Sequence, residues 1–532
     1  MTLSDFLPAT QPPLADVRSC NDWLASATLA DPRQACATLL SLLEELEQAP
    51  AIHIEYMRIL ERLRKPLLGA LLEHTKKFTA KPLPLGHAEA LALHQTCRLW
   101  AVLTRSYRRL LRAGLKGEHP ELAPFAPLLA TRSIESAGGS IISQCLARQE
   151  ITADQWQILH GAFALAETHG LINKPIGDRG LQASASTVYV QTLLISLAAT
   201  RGLSAREFQW LRRWARRWSH KVSIARDPID TSHFSVDLGG QCGPTWRNGK
   251  DAGVAIRFLD TSRVGRTLRK RIQRLELGEN PALLGLGSDI VQPLAGELLA
   301  TLLQSWCAAP QARKFPRRQS STATVSREVD FAVGFAAAHA SISGTEFVSE
   351  KKAWDYRRHT AESIQVFQHA ESSASRSNNA PELKVRERWA PIDESAEGFK
   401  LRRTAPGSRV SVQQLVSLRP HGSKYFILAV IRWALQEQGS SIVVGAHAIP
   451  GLARACAVHQ SHDDPLHSQP LTQAFLLPAS DHLTESVVLP SGWYQRDGLL
   501  TLRDEHRAKP IRLSNPLARG FDYDWATFNT MG

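Results

Sequence analysis

Two short clusters in this sequence hold residue types that could do chemistry. The first is RKFPRR, in which Arg313, Lys314, Arg317 and Arg318 gather around Pro316. An arginine fork binds phosphate bidentately and also stacks on a base. Arg313 and Arg317, four apart in a loop, could therefore clamp a nucleotide from two sides. Taken by itself the run reads equally as a solvated basic linker. The second cluster is Asp393-x-Ser395-x-x-Gly398, inside RWAPIDESAEGFKLRR. A carboxylate can accept two N–H bonds from the Watson–Crick edge of guanine, and a serine hydroxyl can bond a phosphate or a neighbouring backbone group. Glycine supplies a left-handed turn between two strands. Taken by itself this is also an ordinary β-turn, although Lys400, Arg402 and Arg403 follow directly and would suit an anionic ligand.

Other clusters weigh less. GGQCGPTW (239–246) sets Cys242 among Gly and Gln, as in papain-like proteases. A thiol nucleophile needs a paired histidine and an orienting Asn, and here Pro244 and a polar RNGKD follow, so the reading is a structural loop. SHDDP (461–465) with His459 and His467 offers metal-ligand types without a scaffold of regular spacing, and reads as a surface loop. WLRRWARRWSHK (210–221) alternates aromatic residues with arginines and could bind single-stranded nucleic acid. At helical spacing, however, Trp214 and Trp218 fall with Leu211 on one face, while Arg212, Arg213, Arg216 and Arg217 point outward. Core tryptophans with a solvated basic face is the simpler reading. No catalytic constellation and no metal site emerges, so no reaction is expected.

The elements that must position these residues change character along the chain. Up to about residue 225 the apolar spacing is helical. TADQWQILHGAFALAETHG opens with Thr152 and Gln155 in capping-box spacing and closes with Gly170; SAREFQWLRRWARRWSHK opens with Ser204 and Glu207 in the same spacing. Gly114 fits a helix stop. FSVDL and GVAIRFLD read as short strands, TSRVGRTLRKRIQRLELG as a basic helix stopped by Gly278, and VQPLAGELLATLLQSWCAA as a further helix. From 311 the pattern is β. TATVSREVDFAVGFAA reads as one or two strands, 350–386 as a polar loop or insertion, and FKLRR, LVSLRP, KYFILAVIRWAL and SSIVVGAHAI as a ladder.

The expected fold is a multidomain α+β protein. An N-terminal all-α helical-hairpin domain spans 1–225 and a mixed α/β or helical connector spans 226–310. An antiparallel β-barrel spans 311–460, and a β-rich extension spans 461–532. The 532 residues carry 63 Lys and Arg against 50 Asp and Glu, a net charge of +13 and a pI near 9.6. That balance makes an anionic partner plausible (nucleic acid, nucleotide or membrane surface) without choosing one. The start MTLSDFLPATQPPLADV is not a signal peptide, and no apolar run is long enough for a membrane span. The seven cysteines are scattered and form no C-x-x-C pair, which points to a cytoplasmic compartment.

An R-x-x-x-R loop, a strand, D-x-S-x-x-G, and then a ladder containing VIRW and VVGAHAI together resemble the PilZ domain over residues 311–450. PilZ domains are small bacterial β-barrels that bind cyclic di-GMP. The resemblance implies that Arg313 and Arg317 are the paired arginines gripping guanines and phosphates, with Arg318 able to substitute in register. It implies that Asp393 holds a guanine edge, that Ser395 contacts the ligand or fixes the turn, and that Gly398 permits the turn's backbone. About 75 residues lie between Arg317 and Asp393, a long insertion whose closure cost still grows only slowly with length. Arg357, Arg358, Arg386 and Arg388 are competing sources of guanidinium, the last two as strand residues flanking the turn.

Two functions follow as expectations. One is a bacterial cyclic di-GMP receptor that relays ligand binding to a protein partner through the helical domain, in motility, adhesion or exopolysaccharide control. The alternative is a ligand-free scaffold, or a basic nucleic-acid-binding protein using helices 206–221 and 262–276, with a degenerate barrel.

Overall fold

The computed structural model describes residues 14–27, 29, 31–48, 53–178, 181–198, 200–247, 253–309, 318–319, 328–347, 386–395, 397–460, 471–479, 484–504 and 507–531. The chain divides into two compact units, residues 1–81 with 85–312, and residues 82–84 with 313–532. Among the described residues no helix is long and apolar enough to cross a membrane.

The first unit begins with helices α1 (Val17–Ser26), α2 (Pro32–Gln48), α3 (Ile54–Thr75), α4 (His87–Leu115), α5 (Ala126–Leu146) and α6 (Ala153–Thr168). A short hairpin, β1 (Ile176–Asp178) and β2 (Leu181–Ala183), precedes α7 (Ala185–Leu197) and α8 (Ala205–Trp218). A small antiparallel sheet follows, made of β3 (Ser223–Ala225), β4 (Ser232–Asp237), β5 (Thr245–Trp246) and β6 (Ile256–Asp260) in the order β3-β6-β4-β5. Helices α9 (Ser262–Glu276) and α10 (Leu294–Cys307) close the unit. One continuous apolar core, from Leu14 to Trp306, holds these elements together.

Local chemistry sets the helix ends. The Gln155 amide donates to Thr152 Oγ1 at 3.3 Å while the Thr152 amide donates to Gln155 Oε1 at 3.0 Å. Ser204 and Glu207 repeat the exchange, so two otherwise unpaired amides are satisfied at each start. Gly278 stops α9 in the left-handed region, with φ of 84°. Gly114, expected as a stop, instead lies inside α4. A Cβ there would stand 3.1 Å from Leu122 Cβ, so close packing requires the glycine, and the left-handed residue is Gly117, with φ of 77°.

The arginine face of α8 also differs from a simple solvated face. Trp210, Trp214 and Trp218 are buried. Trp210 Nε1 donates to Asp289 Oδ2 at 3.0 Å and Trp214 Nε1 to the Leu286 carbonyl at 3.0 Å. Arg213 pairs with Asp289 and Arg217 donates to the Gly285 carbonyl. Two of its arginines therefore pin the loop between α9 and α10.

The second unit contains two closed antiparallel rings. The first uses β7 (Arg318–Gln319), β8 (Val329–Val333), β9 (Arg386–Ser395), β10 (Gly398–Arg403), β11 (Leu415–Arg419), β12 (Ile427–Gln436) and β13 (Ile442–Ala448). The order β10-β13-β12-β11-β8-β9 closes through the β9–β10 hairpin, and β7 pairs with β9 beyond the end of β8. Inside it Trp389 is fully buried, its ring 4.8 Å from Phe331. The expected polar insertion 350–386 lies outside the described residues except for Arg386, which opens β9.

The run after β8, read from sequence as strand, is instead helix α11 (Phe335–Ser343). Gly334, with φ of 90°, breaks the strand, its carbonyl accepts the first helical amide from Ala338, and an alanine-rich run propagates the helix. The C-terminal extension is itself a barrel: β14 (Arg454–Gln460), β15 (Thr472–Leu477), β16 (Ser486–Pro490), β17 (Leu499–Arg503), β18 (Ala508–Arg519) and β19 (Tyr523–Thr530), closed in the order β14-β15-β16-β19-β18-β17. Helix α11 is the shared filling between the rings: Phe335 and Ala338 pack with Leu415 and Leu428 of the first and Phe475 and Val488 of the second.

Candidate functional site

Residues directly opposite one another on neighbouring strands face the same side of a sheet. One such row crosses the first barrel: Asp393 on β9 pairs with Lys400 on β10, Lys400 with Gly445 on β13, and Gly445 with Trp433 on β12. Two bulges create the row. On β9 the register moves from Leu401↔Pro391 to Lys400↔Asp393, leaving Ile392 as the extra residue. On β12 it moves from Ile431↔Ala446 to Trp433↔Gly445, leaving Arg432 as the extra residue. Leu401 and Ile431 are fully buried in the barrel. Strict alternation would send Asp393 and Trp433 to that same inner side, and each bulge turns its side chain to the other face.

The row lies in a shallow cavity of about 220 Å³ whose walls include Asp393, Ser395, Lys400, Arg432, Trp433 and His447. Asp393 is only 7% exposed. Ser395 and Gly398 are paired across the tight β9–β10 turn, and the Ser395 hydroxyl donates to the Gly398 carbonyl at 3.3 Å. Gly398 does not adopt the expected left-handed conformation. Its role is close approach, since a Cβ there would stand 2.6 Å from the Ala446 carbonyl oxygen on β13. Gly445 has a related function: its missing side chain leaves room for the Trp433 indole, whose Nε1 would be 2.1 Å from an added Cβ.

The last residue of the basic cluster, Arg318, opens β7 with Gln319, whose backbone pairs with that of Asp393. Arg318 pairs with Glu394 in backbone register, one step from Gln319↔Asp393. Opposed Cα atoms in such a ladder are roughly 5 Å apart, so the segment leaving RKFPRR runs against the D-x-S-x-x-G strand. Arg313 and Arg317 lie outside the described residues, as do Arg357 and Arg358.

The other cations near the motif have separate engagements. Arg402 pairs with Glu437, Nε to Oε2 at 3.0 Å. Arg403 is buried beneath Trp389, pairs with Glu387 and donates to the Ser408 carbonyl at 2.9 Å. Burial alone would push the Glu387 carboxyl up; the Ser408 amide and Arg403 more than offset it, so the net shift is downward. Arg388, read from sequence as flanking the turn, is five residues up the strand from Asp393, roughly 16 Å at strand rise. Its Nε meets Asp330 Oδ1 at 3.3 Å. Arg386 and Arg419 both stand 4.9 Å from the centre of the Phe426 ring. Of the cationic run after the motif, Lys400 faces the cavity.

Sequence reasoning missed Arg432, Trp433 and His447 as cavity residues. VIRW was read as part of a ladder, and nothing local to it marks the bulge at Arg432.

The set-aside clusters are also placed. His160 is fully buried, its Nε2 donating to the Cys242 carbonyl at 2.9 Å and its Nδ1 accepting from the Tyr189 hydroxyl at 2.7 Å. Burial holds its pKa below the ordinary value, against the Cys242 carbonyl and Asp237. The histidine thus anchors the backbone of GGQCGPTW, not its thiol. Among the described residues no His, Cys, Asp or Glu group could hold a metal ion; SHDDP and His467 lie outside them.

A helical unit joined to a pair of antiparallel barrels, with a bulged polar cavity on the first, is the architecture in hand. Residues 18–228 match the family described as "Cyclic-di-GMP receptor FimW, N-terminal domain". The match falls on the helical region, whereas the PilZ resemblance rests on the barrel. No curated protein and no solved structure matches the chain.

Proposed function

We propose that this chain is a bacterial cyclic di-GMP receptor and that the ligand binds at the β9–β10 hairpin of the first barrel. The observation that carries this reading is the pairing of Arg318 with Glu394, which sets the end of the basic loop against the motif. The family matched by residues 18–228 supports the same ligand. In this reading Arg313 and Arg317 grip phosphate and guanine from the loop, and Arg318 stands in register beside them. Asp393 accepts from a guanine edge. Ser395 fixes the turn, and Gly398 keeps β10 close to β13. Lys400 adds positive charge opposite Asp393 for a ligand carrying two phosphates. The ligand then orders the loop against the barrel, and the helical region passes the change to a protein partner in motility, adhesion or polysaccharide export.

Calorimetric titration with cyclic di-GMP tests the reading. Wild type binds, and Arg313→Ala/Arg317→Ala binds at least about 100-fold more weakly, as expected for two lost charge-assisted contacts. No heat with wild type, or unchanged affinity in the double variant, would sink it.

A further inference from the structure

Helix α9 lies outside the family match, in the first unit. It carries Arg263, Arg266, Arg269, Lys270, Arg271 and Arg274 against a lone Glu276. Val264, Leu268 and Leu275 are buried against the first unit. At about 100° per residue, Arg263, Arg266, Lys270, Arg274 and Leu277 fall within one arc of about 80°, over a length of about 21 Å. All five are exposed. Among the described residues Arg263, Arg266 and Lys270 form no ion pair, while Arg274 pairs with Glu279.

This is not a face arranged for helix stability. Its first turn has no acidic residue, so Arg263 stands where the helix dipole disfavours a cation. Arg263–Arg266, Arg266–Lys270 and Lys270–Arg274 set like charges three or four apart, a spacing that opposes the helix. Elsewhere in the unit arginines meet carboxylates: Arg105 with Glu47 at 2.6 Å, and Arg132 with Glu135 at 3.1 Å. The concentration of unopposed charge on α9 calls for an anionic partner.

The neighbouring side chains choose which one. Single-stranded nucleic acid would use exposed aromatic rings for stacking, and the nearby Trp214 and Trp218 are buried. What flanks the cations is aliphatic: Leu277 at the helix end and Leu283 in the loop after it are each 81% exposed. Cations beside protruding leucines fit a bilayer surface, the charges on phosphate headgroups and the leucines at the acyl boundary. We propose that α9 and the loop carrying Leu277 and Leu283 form a docking face for an anionic phospholipid bilayer.

Co-sedimentation of the full chain with vesicles tests this without cyclic di-GMP, so its outcome is separate from that of the barrel reading. Phosphatidylcholine vesicles should leave the protein in solution, and vesicles with about one-third phosphatidylglycerol should carry it down. Binding should drop at least tenfold between about 50 and 500 mM salt. Arg266→Glu/Lys270→Glu should weaken binding at least about tenfold. Leu277→Ser/Leu283→Ser should weaken it about threefold or more with the salt response retained. Circular dichroism melting should be unchanged in both variants. Equal binding to neutral vesicles, no binding to charged ones, or undiminished binding by the charge-reversed variant would overturn the proposal. Preference for a DNA duplex over charged vesicles would overturn it in favour of nucleic acid.

Discussion

The two barrels of the second unit share a frame of six antiparallel strands, yet they use aspartates differently. In the second ring Asp524 Oδ2 accepts from the Gly492 amide at 2.8 Å and the Tyr494 amide at 3.1 Å, fastening a loop. Asp522, two residues earlier, reaches toward the first ring: its carboxylate accepts from Leu415 at 2.8 Å and Phe335 at 3.1 Å. Asp393 of the first ring is buried much as Asp524 is, but a bulge beside it sends its side chain into a cavity. The same residue type in the same architecture thus fastens a loop or lines a cavity, depending on where the strand register slips.

Substitutions can break or sharpen that contrast. The largest stability effect is expected at Asp522. Asp522→Ala leaves two backbone amides without their acceptor and should cost about 2–4 kcal/mol in denaturant unfolding, with the cyclic di-GMP affinity of the folded protein within about twofold of wild type. Asp393→Ala and Asp524→Ala should separate: the first loses about 10–100-fold in affinity, and the second loses about 1–3 kcal/mol of stability with affinity kept. Equal behaviour of the two would erase the distinction. Gly398→Ala should fall between them. Forcing β10 from the Ala446 carbonyl should cost about 1–3 kcal/mol and weaken binding as well.

The smallest effect is in pH dependence. Glu387 is shifted down, so its contribution is present above the ordinary carboxyl pKa and is lost as pH falls through the lower folded value. Asp522 is shifted up, chiefly by burial, against the amides of Leu415 and Phe335. Its contribution has the opposite sign, greatest in acid and lost as pH rises through the raised value. Asp522→Asn removes that opposing contribution, so its stability should fall more steeply than wild type's between neutral pH and about 3.5. Parallel curves from urea melts would contradict this.

What could be read from sequence was local. The capping boxes at Thr152 and Ser204 are decided within three residues, and strand β10 shows in its apolar alternation and β12 and β13 in their apolar runs. The remainder depended on partners distant in sequence. Lys400, Arg402 and Arg403 look alike in a row, yet Glu437 and Glu387 engage two of them from other parts of the ring. Gly398 looks like a turn glycine, and its constraint comes from Ala446 across the sheet. Trp433 reaches the cavity through a bulge at Arg432, and no local pattern separates that from a regular strand. In α8 the arginine periodicity was plain, but the loop that Arg213 and Arg217 hold lies some 70 residues further on.

A crystal structure of the full chain with cyclic di-GMP would show most directly where the ligand sits. A guanine edge is expected within hydrogen-bonding distance of the Asp393 carboxylate, beside Lys400 and Trp433, with Arg313 and Arg317 on the phosphates. Ligand bound within the helical unit, with the β9–β10 cavity empty, would contradict it.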